Sequence, residues 1–343
     1  MGTTEMSGVS PVQPLPRVAV AMGDPAGIGP EIVVKALAEP EIYQACVPVV
    51  IGDARVLAEA PGWRGEPRIV RVGDVGDARP EPGVMAVLDL ANVPASLKRA
   101  EVSVEAGRCS IDYLARGVEL NLAGKAEALV SAPLNKEAMK RAGFHFTDEY
   151  DYMASLCKTT DYTMLMVSPH FTLASVTLHA AMKDVPALLT RERILFTIRV
   201  SDAVARASGV ARPRIGVAAL NPHGGEGGTL GREELDAIRP AIEAARDEGI
   251  DASGPFPADT FFMTAKDSRY DVYVSLYHDQ GRIAMKLLDF GHAVTMAEGL
   301  PFVFCTVGHG TAFDIAGKGV ARHDNLKEAI LLGAKRAVAR RKG

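Results

Sequence analysis

The sequence predicts an α/β protein with a mainly parallel sheet covered by helices, and three observations carry that prediction. Short β-branched runs alternate along the chain with stretches whose apolar residues recur at helical spacing. A glycine-rich turn, Gly23-Asp24-Pro25-Ala26-Gly27-Ile28-Gly29-Pro30, sits between the first such run and the first helical pattern. Three histidines, His179, His223 and His278, each stand just beyond the end of a strand-like run, where open α/β sheets place their ligands.

Taken in order, Arg17 to Met22 (RVAVAM) reads as a strand. Ile32, Val33, Ala36 and Leu37 then form a helix face, with Pro30 suited to its first turn. The glycines between them fit either a site for an anion at the helix N-terminus or a plain tight turn, and they match neither GxGxxG nor GxxxxGK[ST]. Further strands are expected at 47–51, 68–72, 84–90, 127–131, 162–168 and 302–307, with surface loops over 60–83. Helix faces follow from Ile111, Leu114, Ala115, Val118 and Leu122, from Leu235, Ile238, Ile242 and Ala245, and from Leu326, Ala329, Ile330 and Ala334.

The histidines close the runs TLASVTL (172–178), RIGVAAL (214–220, followed by Asn221-Pro222) and VYVSL (272–276). Three strand-end imidazoles converging on one divalent ion would leave coordination positions open for a substrate. Asp279 beside His278 suits an orienting role. Asn135 and Lys136 stand at another strand-to-helix mouth, where an ammonium can hold a carboxylate or phosphate or relay a proton. The loop NPHGGEGGTLG (221–231) has the glycine content that lets backbone approach a ligand closely.

The chain of 343 residues is long enough for two domains, and 48% hydrophobic with 23% charged residues fits a compact fold. A net charge of −4 and a pI near 6.1 give no electrostatic reason to expect nucleic acid or an anionic membrane. Four cysteines without CxxC spacing indicate neither a disulfide framework nor a thiolate zinc site, and a cytoplasmic setting is expected. The first 16 residues lack a signal-peptide pattern and read as a disordered lead-in. No apolar run is long enough to span a bilayer.

The blocks MGDPAGIGPEI, SAPLNKEAM, VTLHA, LNPHGGEGG, YHDQG, GLPF and HGTAFDIAGKG, in this order from about Val18 to Gly319, closely resemble the 4-hydroxythreonine-4-phosphate dehydrogenase family of pyridoxal phosphate biosynthesis. That resemblance implies an isocitrate/isopropylmalate dehydrogenase-like two-domain α/β/α fold, with 17–135 plus 306–343 as one domain and 136–305 as the other. It also implies a homodimer whose interdomain cleft is completed by the second subunit. The metal ligands would be His179, His223 and His278, holding one Zn²⁺, Mg²⁺, Mn²⁺ or Co²⁺, and the family lysine falls at Lys286. NAD or NADP would lie between two loops, one carrying Asn221, Gly224, Glu226 and Gly227 and the other His309, Thr311 and Asp314.

The expected reaction is oxidation of a secondary alcohol on a small hydroxy acid, followed by loss of CO₂ from the β-keto acid; a metal hydrolase is the rival from another class. Substrate positions depart from the family pattern. Asp148-Glu149-Tyr150-Asp151 stands where the family reads Gly-His-Thr-Glu, Thr295 replaces an asparagine, Phe304 an arginine, and Gly308 an aspartate. Of these, Glu149, Tyr150, Thr295 and Phe304 are expected at the substrate. Exchanging histidine and guanidinium for carboxylate and phenyl removes what a phosphate dianion needs. A similar loss occurs in relatives acting as cis-dihydrodiol dehydrogenases of aromatic dicarboxylates such as terephthalate. Threonate or erythronate 4-phosphate is a further alternative substrate.

Overall fold

The computed structural model describes residues 14–61, 63, 65–168, 170–289 and 293–341. Among them twelve strands form one sheet: Arg17–Ala21 (β1), Val47–Gly52 (β2), Arg68–Arg71 (β3), Val84–Asp89 (β4), Ala128–Ser131 (β5), Thr163–Val167 (β6), Thr172–Ser175 (β7), Arg214–Ala218 (β8), Asp251–Phe256 (β9), Val272–Ser275 (β10), Val294–Glu298 (β11) and Val303–Val307 (β12). The order across the sheet is β3-β4-β2-β1-β5-β12-β11-β6-β7-β10-β8-β9. The α/β class is as the alternation of patterns predicts, and the expected strands and helices are present. Most of the lead-in expected at 1–16 lies outside the described residues; Pro16 at its end accepts a hydrogen bond from the Val47 N–H.

Two strands went unforeseen. β9 (DASGPF) carries a glycine and a proline that break the strand signal, which its place at the sheet edge tolerates. β11 (VTMAE) is rich in good helix formers, yet it is buried throughout and held between β12 and β6. Its terminal Glu298 is buried against Arg336 of the C-terminal helix Asp324–Arg340, and this ion pair fixes that helix over the middle of the sheet.

The sheet consists of two parallel blocks. β3, β4, β2, β1, β5 and β12 run in one sense. β7, β10, β8 and β9 are likewise parallel to one another. Between the blocks lie three successive antiparallel pairings, β12 with β11, β11 with β6 and β6 with β7, and an odd number of reversals makes the blocks run in opposite senses. The carboxyl edges, where α/β sheets gather their ligand loops, therefore lie at opposite ends of the sheet. The boundary expected between 305 and 306 falls inside β12, and one continuous apolar core runs from Val18 to Ala337 through both blocks.

Two helices that face the centre are placed by small local devices. The helix Val104–Leu122 is N-capped by Ser103, whose Oγ accepts from the Ala106 N–H at 3.0 Å. Its Gly107 lies so close to Ala138 that a Cβ there would stand 2.2 Å from the Ala138 carbonyl oxygen. The absence of a side chain at 107 is what lets the short helix Lys136–Arg141 dock.

Candidate active site

The chain leaves β10 at Ser275 and turns into the helix His278–Asp289 within two residues. Gln280 fastens this turn: its Oε1 accepts from the Leu276 N–H at 2.7 Å, and its Nε2 donates to the Ala219 carbonyl, also at 2.7 Å, just past β8. Gly281 brings the helix onto β7, since a Cβ at that position would stand 2.6 Å from the Leu173 side chain. His278 is thereby aimed across the end of β10 toward His179, which follows β7. The two imidazole centroids are 5.7 Å apart with planes tilted by 40°.

Each ring is held at Nδ1 by a carboxylate. His179 Nδ1 lies 2.5 Å from Asp148 Oδ2, and His278 Nδ1 lies 2.6 Å from Asp279 Oδ1. Asp148 is 4% exposed and caps the helix Glu149–Leu156, accepting from the Tyr150 and Asp151 N–H groups. Burial alone would raise its pKa, but the hydrogen bonds from His179 and from backbone outweigh that, and the carboxyl is held below its ordinary value. For His278, burial is the largest effect and lowers its pKa.

His223 repeats the device elsewhere, with Nδ1 2.9 Å from Glu226 Oε1. It sits on Pro222–Gly228, where residues 223–227 all have positive φ, including the non-glycines His223 (52°) and Glu226 (43°). Such backbone in non-glycine residues carries strain of order 1–3 kcal/mol each. The loop base is fixed by Glu234, which accepts from the Leu220 and Asn221 N–H groups. The His223 side chain is 70% exposed, and no group of three or more His, Cys, Asp or Glu side chains is placed to hold a metal among the described residues. One chain thus brings together two of the three histidines.

A cavity of about 470 Å³ opens beside His179, within the usual size range of ligand sites. Lys136, Glu149, Tyr150, Arg282, Thr295, His309 and Thr311 all face it. Asn135 N-caps the helix that begins at Lys136, with Oδ1 accepting from the Ala138 N–H at 2.8 Å. Burial raises the Glu149 pKa and lowers that of Arg282. Neither cation in this cavity, Lys136 or Arg282, makes an ion pair among the described residues. A second cavity of about 560 Å³ on the other side of His179 carries Asp148, Asp151, Tyr162 and Arg193.

Other expected positions lie apart from this cavity. Phe304 is fully buried and meets the Tyr150 ring edge-on at 5.4 Å, so Tyr150 is the surface of that pair that the cavity sees. Lys286 is exposed on the helix His278–Asp289, outside both cavities. Asn221 is bonded to Glu233 and Glu234, Gly224 and Gly227 belong to the loop of His223, and Asp314 is exposed. The glycine-rich turn proves to be a packing device. Its Ala26 N–H donates to Asp24 Oδ1, Ile28 N–H to the Thr311 carbonyl, and a Cβ at Gly27 would stand 2.8 Å from Thr311 Cβ. Sequence reasoning missed Gln280 as a clamp and Asp148 as the partner of His179; the HDQG block carried a signal for the first.

A family model described as "Pyridoxal phosphate biosynthetic protein PdxA" matches residues 44–333. The chain belongs to the PdxA family. It is 41% identical over 333 residues to the 4-hydroxythreonine-4-phosphate dehydrogenase of Trichlorobacter lovleyi, covering 95% of this chain and 99% of that one. Among solved structures, the 4-hydroxythreonine-4-phosphate dehydrogenase of Klebsiella pneumoniae matches with a TM-score of 0.83 at 38% identity, over 94% of this chain and 98% of the other. A terephthalate 1,2-cis-dihydrodiol dehydrogenase of Burkholderia xenovorans matches with a TM-score of 0.67 at 30% identity, over 93% and 98%. This PdxA-family chain is a dehydrogenase, an oxidoreductase acting on a CH–OH group, with the α/β fold of its relatives. No helix among the described residues is long and apolar enough to cross a membrane.

Proposed function

We propose that this PdxA-type dehydrogenase is metal-dependent, and that it oxidises the secondary alcohol of a small anionic hydroxy acid with NAD or NADP, releasing CO₂ from the β-keto acid formed. The observation that carries this reading is a pair of carboxylate-held imidazoles, one of which lines a cavity that also holds two cations without an ion pair among the described residues. With Nδ1 of His179 and His278 engaged by Asp148 and Asp279, Nε2 is the ring nitrogen left to each for a metal, the carboxylate–histidine arrangement typical of metal sites. Imidazoles sharing one ion at N–metal distances of about 2.0–2.1 Å stand with centroids roughly 5 Å apart, and 5.7 Å is close to that spacing. The residues present therefore fit a divalent ion such as Zn²⁺, Mn²⁺, Co²⁺ or Mg²⁺.

When bound, such an ion supplies Lewis-acid polarisation of the carbinol oxygen and of the enolate oxygen left after decarboxylation. Lys136, without a carboxylate partner among the described residues, holds a substrate carboxylate as its ammonium and gives a proton to the carbon that loses CO₂, while the hydroxyl proton leaves to solvent. A bound nicotinamide would supply the acceptor for the hydride of the carbinol carbon. In this reading the nucleotide lies against His309, Thr311 and Asp314 and against the left-handed loop of Asn221, Gly224, Glu226 and Gly227. The cleft separates the lobes 17–135 with 306–343 and 136–305. His223 and Lys286, both exposed, meet a second copy of the chain, so the third imidazole is shared across a homodimer.

The test is an NADH- or NADPH-release assay with added Mn²⁺ or Zn²⁺ on 4-phosphohydroxy-L-threonine, threonate 4-phosphate, erythronate 4-phosphate and the dihydrodiol of terephthalate, run beside thermal melts with each nucleotide. The expected result is metal-dependent turnover of at least one acid and a higher Tm with NAD or NADP. No turnover and no nucleotide stabilisation would replace this reading with a metal hydrolase.

A further inference from the structure

We propose that Arg282 and Tyr150 form the subsite for the substrate's second anionic group, and that this group is a carboxylate; the inference rests on the dehydrogenase reading above. Arg282 lies four residues after His278 on the same helix, so both project from one face, one turn apart. Arg282 lines the cavity of His179 and Lys136.

Two donors there have no acceptor among the described residues. Arg282 Nε is buried and makes no hydrogen bond among the described residues, and the guanidinium's hydrogen-bond contact there is Nη2 with the Met164 thioether sulfur, a weak acceptor. The Tyr150 hydroxyl is buried and likewise unpartnered. Burial holds this phenol well above its usual pKa, so it remains a donor. An unsatisfied buried donor is costly, and a buried guanidinium without an anion more so. Tyr150 is not free to turn away, because it is pinned by Phe304 at its ring edge and by Asp148 at its backbone N–H.

What completes the pair is an acceptor with two oxygens and one negative charge. A carboxylate presents two coplanar oxygens to one guanidinium and one hydroxyl, a match to the fork of arginine. A phosphate dianion is a poorer fit. It would seek more donors and carries a second charge into a wall that already holds Glu149. The flank formed by Tyr150 and Met164 suits the carbon frame to which a carboxylate is attached. Lys136 is then left for the substrate's other anionic group.

The experiment is isothermal titration of the full-length Mn²⁺-loaded protein with malonate, malate, terephthalate and inorganic phosphate as probes. The proteins compared are wild type, Arg282→Leu, Arg282→Lys and Tyr150→Phe, with Arg282→Gln in reserve should the leucine variant not fold. Wild type should bind at least one dicarboxylate more tightly than phosphate. R282L should weaken that binding by about 10- to 100-fold, R282K should recover part of it, and Y150F should lose less than R282L. In turnover the loss should fall on KM, with kcat nearly kept.

Unchanged carboxylate affinity in R282L, no carboxylate binding to wild type, or phosphate binding tighter than every dicarboxylate and lost with Arg282 would each overturn the proposal. Absence of nucleotide-dependent turnover alongside Arg282-dependent carboxylate binding would defeat the dehydrogenase reading and leave the subsite standing. Turnover whose KM ignores Arg282 would do the reverse.

Discussion

Asp148 Oδ2 and His179 Nδ1 are 2.5 Å apart, and the same carboxyl group receives two backbone N–H groups through its other oxygen. One side chain therefore starts a helix and orients an imidazole. Asp148→Asn keeps the helix cap, since asparagine caps as well as aspartate, but removes the charge behind the ring. Metal affinity should fall about 10- to 100-fold by titration calorimetry with Mn²⁺, while the Tm of the metal-free protein stays within a few degrees of wild type. Equal metal affinity in the two proteins would show that Asp148 serves the helix alone.

His223→Ala tests the shared metal site. The side chain is largely in solvent and its hydrogen-bond partner among the described residues is Glu226, so its removal should leave the fold intact. Bound metal and turnover should both be lost, as read by metal analysis after desalting and by nucleotide reduction. Full activity in this variant would defeat the three-histidine assignment.

Asp24 should govern part of the stability–pH profile. Burial pushes its carboxyl up to about 6, and Oδ2 has no hydrogen-bond partner among the described residues. Below about pH 4 the folded and unfolded states both hold the proton. Between there and about pH 6 the folded state keeps a proton that the unfolded state has released. The stability from this group is therefore complete at low pH and is lost as pH rises through 6, by roughly 3 kcal/mol in all. Asp24→Asn should abolish this slope, so urea midpoints at pH 4, 5.5 and 7 should diverge progressively in favour of the variant. Parallel midpoints would exclude the effect.

Gly107→Ala should damage both stability and the cavity. A methyl group there meets the Ala138 carbonyl carbon at 2.3 Å, and backbone must move to admit it. Overpacking of this kind costs about 1–3 kcal/mol, against about 1 kcal/mol gained from helix propensity. The urea midpoint should fall, and displacement of Lys136 should raise KM. A variant as stable as wild type would mean that the two helices separate freely.

Much of the architecture was legible because strands and helices in this chain carry their patterns undiluted: Val18 to Ala21 and Leu326 to Ala337 bury the residues their periods predict. β9 and β11 were hidden by Gly254, Pro255 and the run Met296-Ala297-Glu298, where burial and neighbours override local preference. The reversal between blocks was invisible, since a strand's own residues do not state which way its neighbour runs. In the site, strand ends gave away His179 and His278. The pairing of Asp148 with His179 and of Tyr150 with Phe304 joins residues far apart in sequence, and nothing in local pattern encodes such a meeting.

β12 has a consequence for the birth of the molecule. It is the sixth strand across the sheet and the last to be synthesised, and it lies against β5, where Thr306 donates to the Ser131 carbonyl across 175 residues of sequence. Until the ribosome has passed Val307, the apolar edge of β5 has no neighbour on that side, and the helix Asp324–Arg340 that covers both strands does not yet exist. Loop closure over such a distance is slow. The nascent amino-terminal half therefore waits with an open seam, and the centre of the sheet, where the cavity forms, is zipped shut last.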